Sequence, residues 1–384
     1  MSEIPRGDAV SLTRALVRAD SRNPGLVPGG PGERGVASLL FQVLPAWGFR
    51  VEVQDALPGR PNVVARIGDA ASGATLMLNG HIDVVGVEGM THEPLAAEMA
   101  GGRIYGRGAT DMKGGVASMC AAAARAAPGG LRGEVIVAAV CDEEFESAGT
   151  SALIARGIRA DAAIVTEPTK LAIMPAHRGF VWITVEIRGR AAHGSRYDIG
   201  IDAVRHAGLL LAELDVLDAE EFPGRAHGLV GRPSLHASTI EGGIGWSTYP
   251  DRCVLTLERR TVPGETKQSV AREIEDACDR VRSRRSMFDA VVTAGFGQPP
   301  SDLSGDAPVA QALKRALGLE GLPAPIEGMS AWTDAALLNA AGIPALCFGP
   351  GDISLAHAAT EWVEVREIEL ATNVLERVVK EWCR

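Results

Sequence analysis

Six cysteines in 384 residues (Cys120, Cys141, Cys253, Cys278, Cys347 and Cys383) are widely scattered and form no CxxC pair. That argues against a disulfide framework or a cysteine-based zinc site and leaves buried free thiols. No run is apolar enough over sufficient length to span a bilayer. Residues 1–8 lack the apolar centre of a signal peptide. A surplus of positive charge is missing too: 38 Lys and Arg stand against 48 Asp and Glu, a formal charge of −10. Nucleic acid and an anionic membrane are therefore poor partners. No internal repeat or low-complexity linker is evident. With 46% hydrophobic and 22% charged residues and a mean hydropathy of +0.08, the chain reads as a soluble cytoplasmic protein, long enough for two domains.

What is present is first a rhythm. Short apolar runs at 62–67, 74–78, 135–140 and 162–165, with helical patterns at 10–19, 36–44 and 115–127, predict a sheet buried on both faces. From about residue 180 the pattern changes. Strands at 181–187, 234–240, 252–260 and 290–293 and helices at 201–217 and 270–281 follow the βαββαβ order of a ferredoxin-like unit. Patterns at 309–317, 335–341, 344–348 and 368–381 then resume the first style. The expected fold class is α/β: a catalytic domain in two parts, 1–178 and 296–384, interrupted by a smaller domain at 179–295.

The second feature is chemical. His81, Asp111, Glu144, Glu167 and His357 offer hard oxygens and imidazoles, a donor set suited to a divalent ion of the zinc type. His81, the Glu143-Glu144 pair and Glu167 directly follow apolar runs, and so would lie outside the carboxyl ends of strands, where open α/β sheets gather ligands. An odd number of ligands shared by two ions implies one bridging carboxylate, and Asp111, short and set among glycines, suits that place. Its glycine-rich phrase lacks the Gly-Lys-Ser/Thr ending of a phosphate-binding loop, so nucleotide binding is rejected. Asp83, two residues beyond His81, points the same way in an extended segment and can accept a hydrogen bond from the imidazole nitrogen turned away from metal. Adjacent Glu143 and Glu144 would project to opposite sides of an extended backbone, one binding metal and the other moving protons. Singly, each is an ordinary strand-exit residue. Together and in this order, they point to a two-metal hydrolase.

The phrases Leu78-Asn79-Gly80-His81-Ile82-Asp83, Gly106-Arg107-Gly108-Ala109-Thr110-Asp111-Met112-Lys113-Gly114-Gly115, Asp142-Glu143-Glu144 and Glu167-Pro168-Thr169 carry a family resemblance. The chain resembles the di-zinc amidohydrolase and metallopeptidase family of acetylornithine deacetylase, succinyl-diaminopimelate desuccinylase, glutamate carboxypeptidase and aminoacylase, over essentially its whole length. The resemblance implies a zinc-peptidase-like catalytic domain with a mixed, largely parallel sheet, and a lid at the inserted domain. It also implies two Zn2+ per chain, with Co2+ or Mn2+ acceptable to the same donors. One ion falls on His81, Asp111 and Glu167, the other on Asp111, Glu144 and His357. Glu143 matches the general base acting on a metal-bridging water, Asp83 the residue orienting His81, and a cis peptide is implied at Asp111-Met112.

In the inserted domain, His193 matches a lid histidine that stabilises the oxyanion in a partner subunit, which implies a homodimer through the lid; a plain loop histidine is the alternative. The Leu209-Leu210-Leu211 helix or a lid edge strand would make the contact. Arg260 resembles the arginine that grips a substrate carboxylate, with a salt bridge inside the lid sheet as the alternative. Two positions depart from the family: Ser247 stands where an asparagine usually contacts substrate, and Trp332 where glycine is frequent. The implied reaction is amide hydrolysis of a small N-acyl amino acid. A carboxypeptidase or dipeptidase acting on short peptides is the alternative, and a catalytically inactive binding protein a third reading. Glu167 leans toward the deacylase and carboxypeptidase branches, because ureido-acid hydrolases tend to place histidine there and aminopeptidases aspartate.

Overall fold

The structure, a computed structural model, describes residues 4–384, so the first three residues of the opening segment lie outside the described residues. The chain forms two compact units. One comprises Met1–Pro175, Leu303–Glu327 and Thr333–Arg384, the other Ala176–Asp302 and Gly328–Trp332.

The first unit is built on a mixed sheet. Its order is Arg50–Leu57, Arg60–Gly68, Glu134–Val140, Thr75–His81, Ala162–Val165, Ala345–Cys347, then Ile173–His177. The four strands from Glu134–Val140 to Ala345–Cys347 run parallel, with antiparallel neighbours on both sides. Glu134–Val140 is buried along its entire length, as continuous apolar strands covered on both faces should be. The expected mixed, largely parallel sheet is therefore present. Reading the sequence passed over Arg50–Leu57, whose mostly exposed side chains break the apolar rhythm, and the small three-stranded sheet of Glu98–Ala100, Arg103–Tyr105 and Trp362–Glu364.

Helices cover this sheet for local reasons. Ala9–Arg18 starts where Asp8 accepts the Ser11 N–H at 2.9 Å, and it buries Leu12, Leu16 and Val17 at helical spacing. It packs with Gly114–Ala126, Pro308–Leu319 and Val365–Trp382 into one apolar core. Gly114–Ala126 is almost wholly buried and made of small residues, which lets it lie close to its neighbours. A Cβ added to Gly115 would stand 2.0 Å from the Thr166 carbonyl oxygen, next to Glu167.

The second unit follows the expected βαββαβ order: Gly179–Arg188, Ala203–Val216, Ser234–Gly242, Arg252–Thr261, Lys267–Arg284, Asp289–Gln298. Its sheet is antiparallel throughout, in the order Ser234–Gly242, Arg252–Thr261, Gly179–Arg188, Asp289–Gln298. Val181, Ile183, Val185 and Ile187 alternate inward and pack on Leu210, Leu214, Val270 and Ile274 of the two helices. Of the leucine triplet, Leu210 is fully buried and Leu209 and Leu211 pack partly against the same core, so the triplet serves its own unit; Ser234–Gly242 and Asp289–Gln298 are the edge strands of the sheet, the former largely exposed. Among the described residues, no helix is long and apolar enough to cross a membrane.

The contact at Gly115 yields a test. In an ordinary helix position Gly→Ala gains about 1 kcal/mol. Here Gly115→Ala is expected to lower stability by about 1–3 kcal/mol in urea unfolding, because the new methyl meets a carbonyl that cannot retreat. A stabilised variant would show that the close approach does not constrain the fold.

Candidate metal centre

The parallel strands aim their carboxyl ends at one place. His81 is the last residue of Thr75–His81, while Glu143 and Glu144 follow Glu134–Val140, and Glu167 follows Ala162–Val165. Those three strands are neighbours in the sheet, so segments far apart in sequence converge. Two overlapping groups result. His81, Asp111 and Glu144 form one, and His81, Glu143 and Glu167 the other, with ligand atoms in each group within 4.8 Å of one another.

Asp111 occupies the centre. Its Oδ1 lies 2.9 Å from His81 Nε2 and its Oδ2 3.6 Å from His357 Nε2. The two oxygens of one carboxylate thus face different imidazoles, the arrangement a bridging ligand needs. His357 Nε2 also lies 2.9 Å from Glu144 Oε2. The Asp111-Met112 peptide is cis. Glu361, a residue that sequence reading missed, secures this loop. Its Oε1 accepts the N–H groups of Thr110 (3.0 Å) and Asp111 (3.2 Å), and Oε2 accepts Arg107 Nη1 at 2.7 Å. Nothing local marks Glu361, since it acts across 250 residues of sequence.

Asp83 works differently from the expectation. His81 Nδ1 lies 3.0 Å from the Asp83 main-chain carbonyl but 3.6 Å from its carboxylate, so the carbonyl is the better acceptor. The carboxylate accepts the N–H groups of Glu143 (3.1 Å) and Glu144 (3.2 Å) and Asn23 Nδ2 (2.8 Å). Glu143 and Glu144 sit in a turn rather than an extended strand, and Asp83 anchors the backbone of both.

Electrostatics follow from burial. Desolvation raises the carboxyls of Glu143 and Glu167 well above their usual range, and raises that of Glu144 as well. Asp334, another residue missed in the sequence, is pushed to about 7 by burial even though Thr150 Oγ1 donates to it at 2.6 Å. For His81, burial works against the charge, but Asp111 and Asp83 outweigh it and hold the imidazole well above its ordinary value. His357, hydrogen-bonded to Glu144, rises to about 9.

Glu144 Oε1, Glu167 Oε1 and Asp334 Oδ1 are buried without a hydrogen-bond partner. Orphaned carboxylate oxygens are costly unless a cation completes them. With imidazole nitrogens and carboxylates converging, the donor set fits divalent metal.

The remaining candidates belong to the second unit. His193 is exposed, with Nδ1 2.9 Å from Ser195 Oγ. Its segment pairs with that of Ser247: Gly194 N–H donates to the Ser247 carbonyl at 2.7 Å, and His193 bridges Thr248. Arg260 Nε donates to Glu258 Oε1 at 2.6 Å, the salt bridge within the sheet. Arg178, also missed in the sequence, has its pKa lowered by burial and by the nearby Arg260 and Arg232 guanidiniums. Trp332 donates to the Pro299 carbonyl at 3.0 Å and meets His177 edge-on.

Fold and site together define a metal-dependent hydrolase of amide bonds. A match to the model for peptidase family M20/M25/M40 over residues 77–381 places the chain in that family. Acetylornithine deacetylase of Myxococcus xanthus is 32% identical over 348 residues, covering 88% of this chain and 90% of the relative. An N-formyl-4-amino-5-aminomethyl-2-methylpyrimidine deformylase of Bacillus subtilis strain 168 is 29% identical over 391 residues, with 93% and 91% coverage. Among solved structures, a dinuclear metal-binding M20 peptidase of Bacillus subtilis shares the fold at a TM-score of 0.76, with 16% identity over 98% of this chain and 97% of its own.

The charge cluster predicts a pH dependence for metal-stripped protein. Groups with raised values hold protons more tightly folded than unfolded, so their stabilisation is present below the ordinary pKa and is lost as pH rises through the folded value. For Asp334 the window runs from 3.8 to about 7, and for His357 from 6.5 to about 9. Chelator-treated protein should lose stability from about pH 4 to 9 in urea unfolding. Added Zn2+ should restore about 2.7 kcal/mol at one hundred times its Kd. Stability that rose across this window without metal would contradict the assignment.

Proposed function

We propose that the protein hydrolyses the amide bond of an N-acyl amino acid, releasing a carboxylate and a free amine, with Glu143 as general base. The observation that supports this reading is the convergence of two overlapping groups, His81, Asp111 and Glu144 and His81, Glu143 and Glu167, with the Asp111 carboxylate facing both His81 and His357. Two divalent ions, Zn2+ by preference, held by His81, Asp111 and Glu167 and by Asp111, Glu144 and His357, would polarise the amide carbonyl and lower the pKa of water between them. Glu143 takes the proton from the attacking water and delivers it to the departing amine nitrogen. Burial, which raises its proton affinity, suits a group that must hold a proton between the two steps.

His193 is assigned to the oxyanion of a second copy's substrate, a contact of a kind worth about 3 kcal/mol elsewhere. That requires a homodimer, for which the exposed edge strand Ser234–Gly242 is available. An active monomer in sedimentation would rule the role out. Arg260, with Arg178 and Arg232 near each other, offers positive charge for a substrate carboxylate, and Ser247 and Trp332 are assigned to the pocket that sets selectivity. Two relatives, a deacetylase and a deformylase, remove an acyl group from an amine, which favours a deacylase over a dipeptidase.

The test is amine release from N-acetyl, N-succinyl and N-formyl amino acids and dipeptides. Glu143→Gln should cut turnover on the order of 10^3-fold while metal content stays unchanged. Release from dipeptides alone would move the enzyme to the peptidase branch, and an undiminished Glu143→Gln enzyme would remove Glu143 from the mechanism.

A further inference from the structure

We propose that Asn23 and Arg60 are positioning residues for the catalytic turn, holding Glu143 and Glu144 in place through Asp83 and Asp142. The inference rests on the roles given above to Glu143 and Glu144. The turn begins at Asp142, whose φ of 67° lies in the left-handed region, a conformation that a non-glycine residue keeps only when its surroundings impose it. The surroundings do so. The Asp142 carbonyl accepts the N–H groups of Ser147 (2.6 Å) and Phe145 (3.4 Å), its Oδ2 accepts the Ala148 N–H (3.4 Å), and its own N–H donates to Glu33 Oε1 (3.3 Å).

Charge would drive this arrangement apart without Arg60. Glu33 and Asp142 are buried carboxylates, and the Arg60 guanidinium faces both. Its Nε donates to Glu33 Oε2 at 2.5 Å, its Nη2 reaches Glu33 Oε1, and Nη2 stands 3.1 Å from Asp142 Oδ1. A planar fork can serve two carboxylates at once; an ammonium cannot reproduce that geometry.

Asn23 supplies the second tie. One amide nitrogen donates to Asp83 Oδ2 at 2.8 Å and to Asp142 Oδ1 at 3.1 Å. Asn23 is itself fixed, since its N–H donates to the Val84 carbonyl at 2.8 Å and its Oδ1 accepts the Gly25 N–H at 2.8 Å. Asp83 lies beneath His81 and binds the N–H groups of Glu143 and Glu144. Asn23 therefore reaches the turn through the Asp83 carboxylate, whereas His81 rests on its strand end and on the Asp83 main-chain carbonyl. Asp111 is placed by Glu361, and Glu167 by the strand end that precedes it. Loosening the turn should disturb Glu143 and Glu144 selectively.

The test uses full-length Asn23→Asp, which keeps the shape and removes the donors, and Arg60→Lys, which keeps the charge and removes the fork. Expected in each is a fall in kcat of about tenfold or more with KM within about twofold of wild type. Titration of metal-free protein with Zn2+ should show one equivalent weakened by about tenfold and the other nearly unchanged. Folded variants with wild-type kcat and both equivalents unaltered would overturn the proposal, whatever happens to the melting temperature. If Asn23→Asp does not fold, Asn23→Ser, smaller and with one donor, is read in the same way. An active Glu143→Gln enzyme would sink the proton role of Glu143 yet leave the metal titration of these variants standing, so the two failures are separable.

Discussion

Bringing Asp111, Glu143, Glu144, Glu167 and Asp334 together in a largely buried site sets carboxylate repulsion and desolvation against folding, and the rest of the first unit is arranged around that conflict. His81 and His357 interleave with the acids. Even so, buried oxygens of Glu144, Glu167 and Asp334 remain without partners, and burial raises the proton affinity of Glu143, Glu167 and Asp334. Divalent cations would complete the balance. The cost in the metal-free state and the affinity for metal are thus two views of the same electrostatics.

Such a cluster needs rigid suppliers. Adjacent parallel strands provide them, because each strand end is fixed by its neighbours and by a core on both faces. Strand ends alone do not finish the job, since Asp111 and the Glu143-Glu144 pair come from loops. Buried acids of the next layer hold those loops by their backbone N–H groups: Glu361 for Asp111, Asp83 for the turn. These acids are in turn matched by Arg107 and Asn23. Carboxylates therefore do two jobs here, some facing the metal position and others fastening the backbone that presents them.

The second unit contributes a different chemistry. Arg178, Arg260 and Arg232 lie close enough to one another to lower the Arg178 pKa, and His193 is exposed. Arg260 is paired with Glu258, which offsets its charge; the roles proposed above for Arg260 and His193 call on these groups. Ser247 lies in the segment paired with that of His193, which links the position that departs from the family to the histidine that matches it.

Much of the site was legible because metal ligands must be of few residue types and must stand where strands end. His81, Glu144 and Glu167 satisfy both conditions within short phrases. The order of elements in the inserted unit was legible for a similar reason, since alternation and helical spacing are local properties. Glu361, Asp334 and Arg178 left no such mark: each is a charged residue whose meaning comes from partners far away in sequence. For Asp83 the sequence shows a carboxylate two residues from a histidine, but not that its main-chain carbonyl lies nearer the ring while the carboxylate holds the turn. Composition and local pattern determined the fold class, the donor set and the candidate base. Tertiary structure alone decided which oxygen of Asp111 faces which imidazole, which acids hold backbone, and which leucines are core, because burial and distance arise only when distant segments meet.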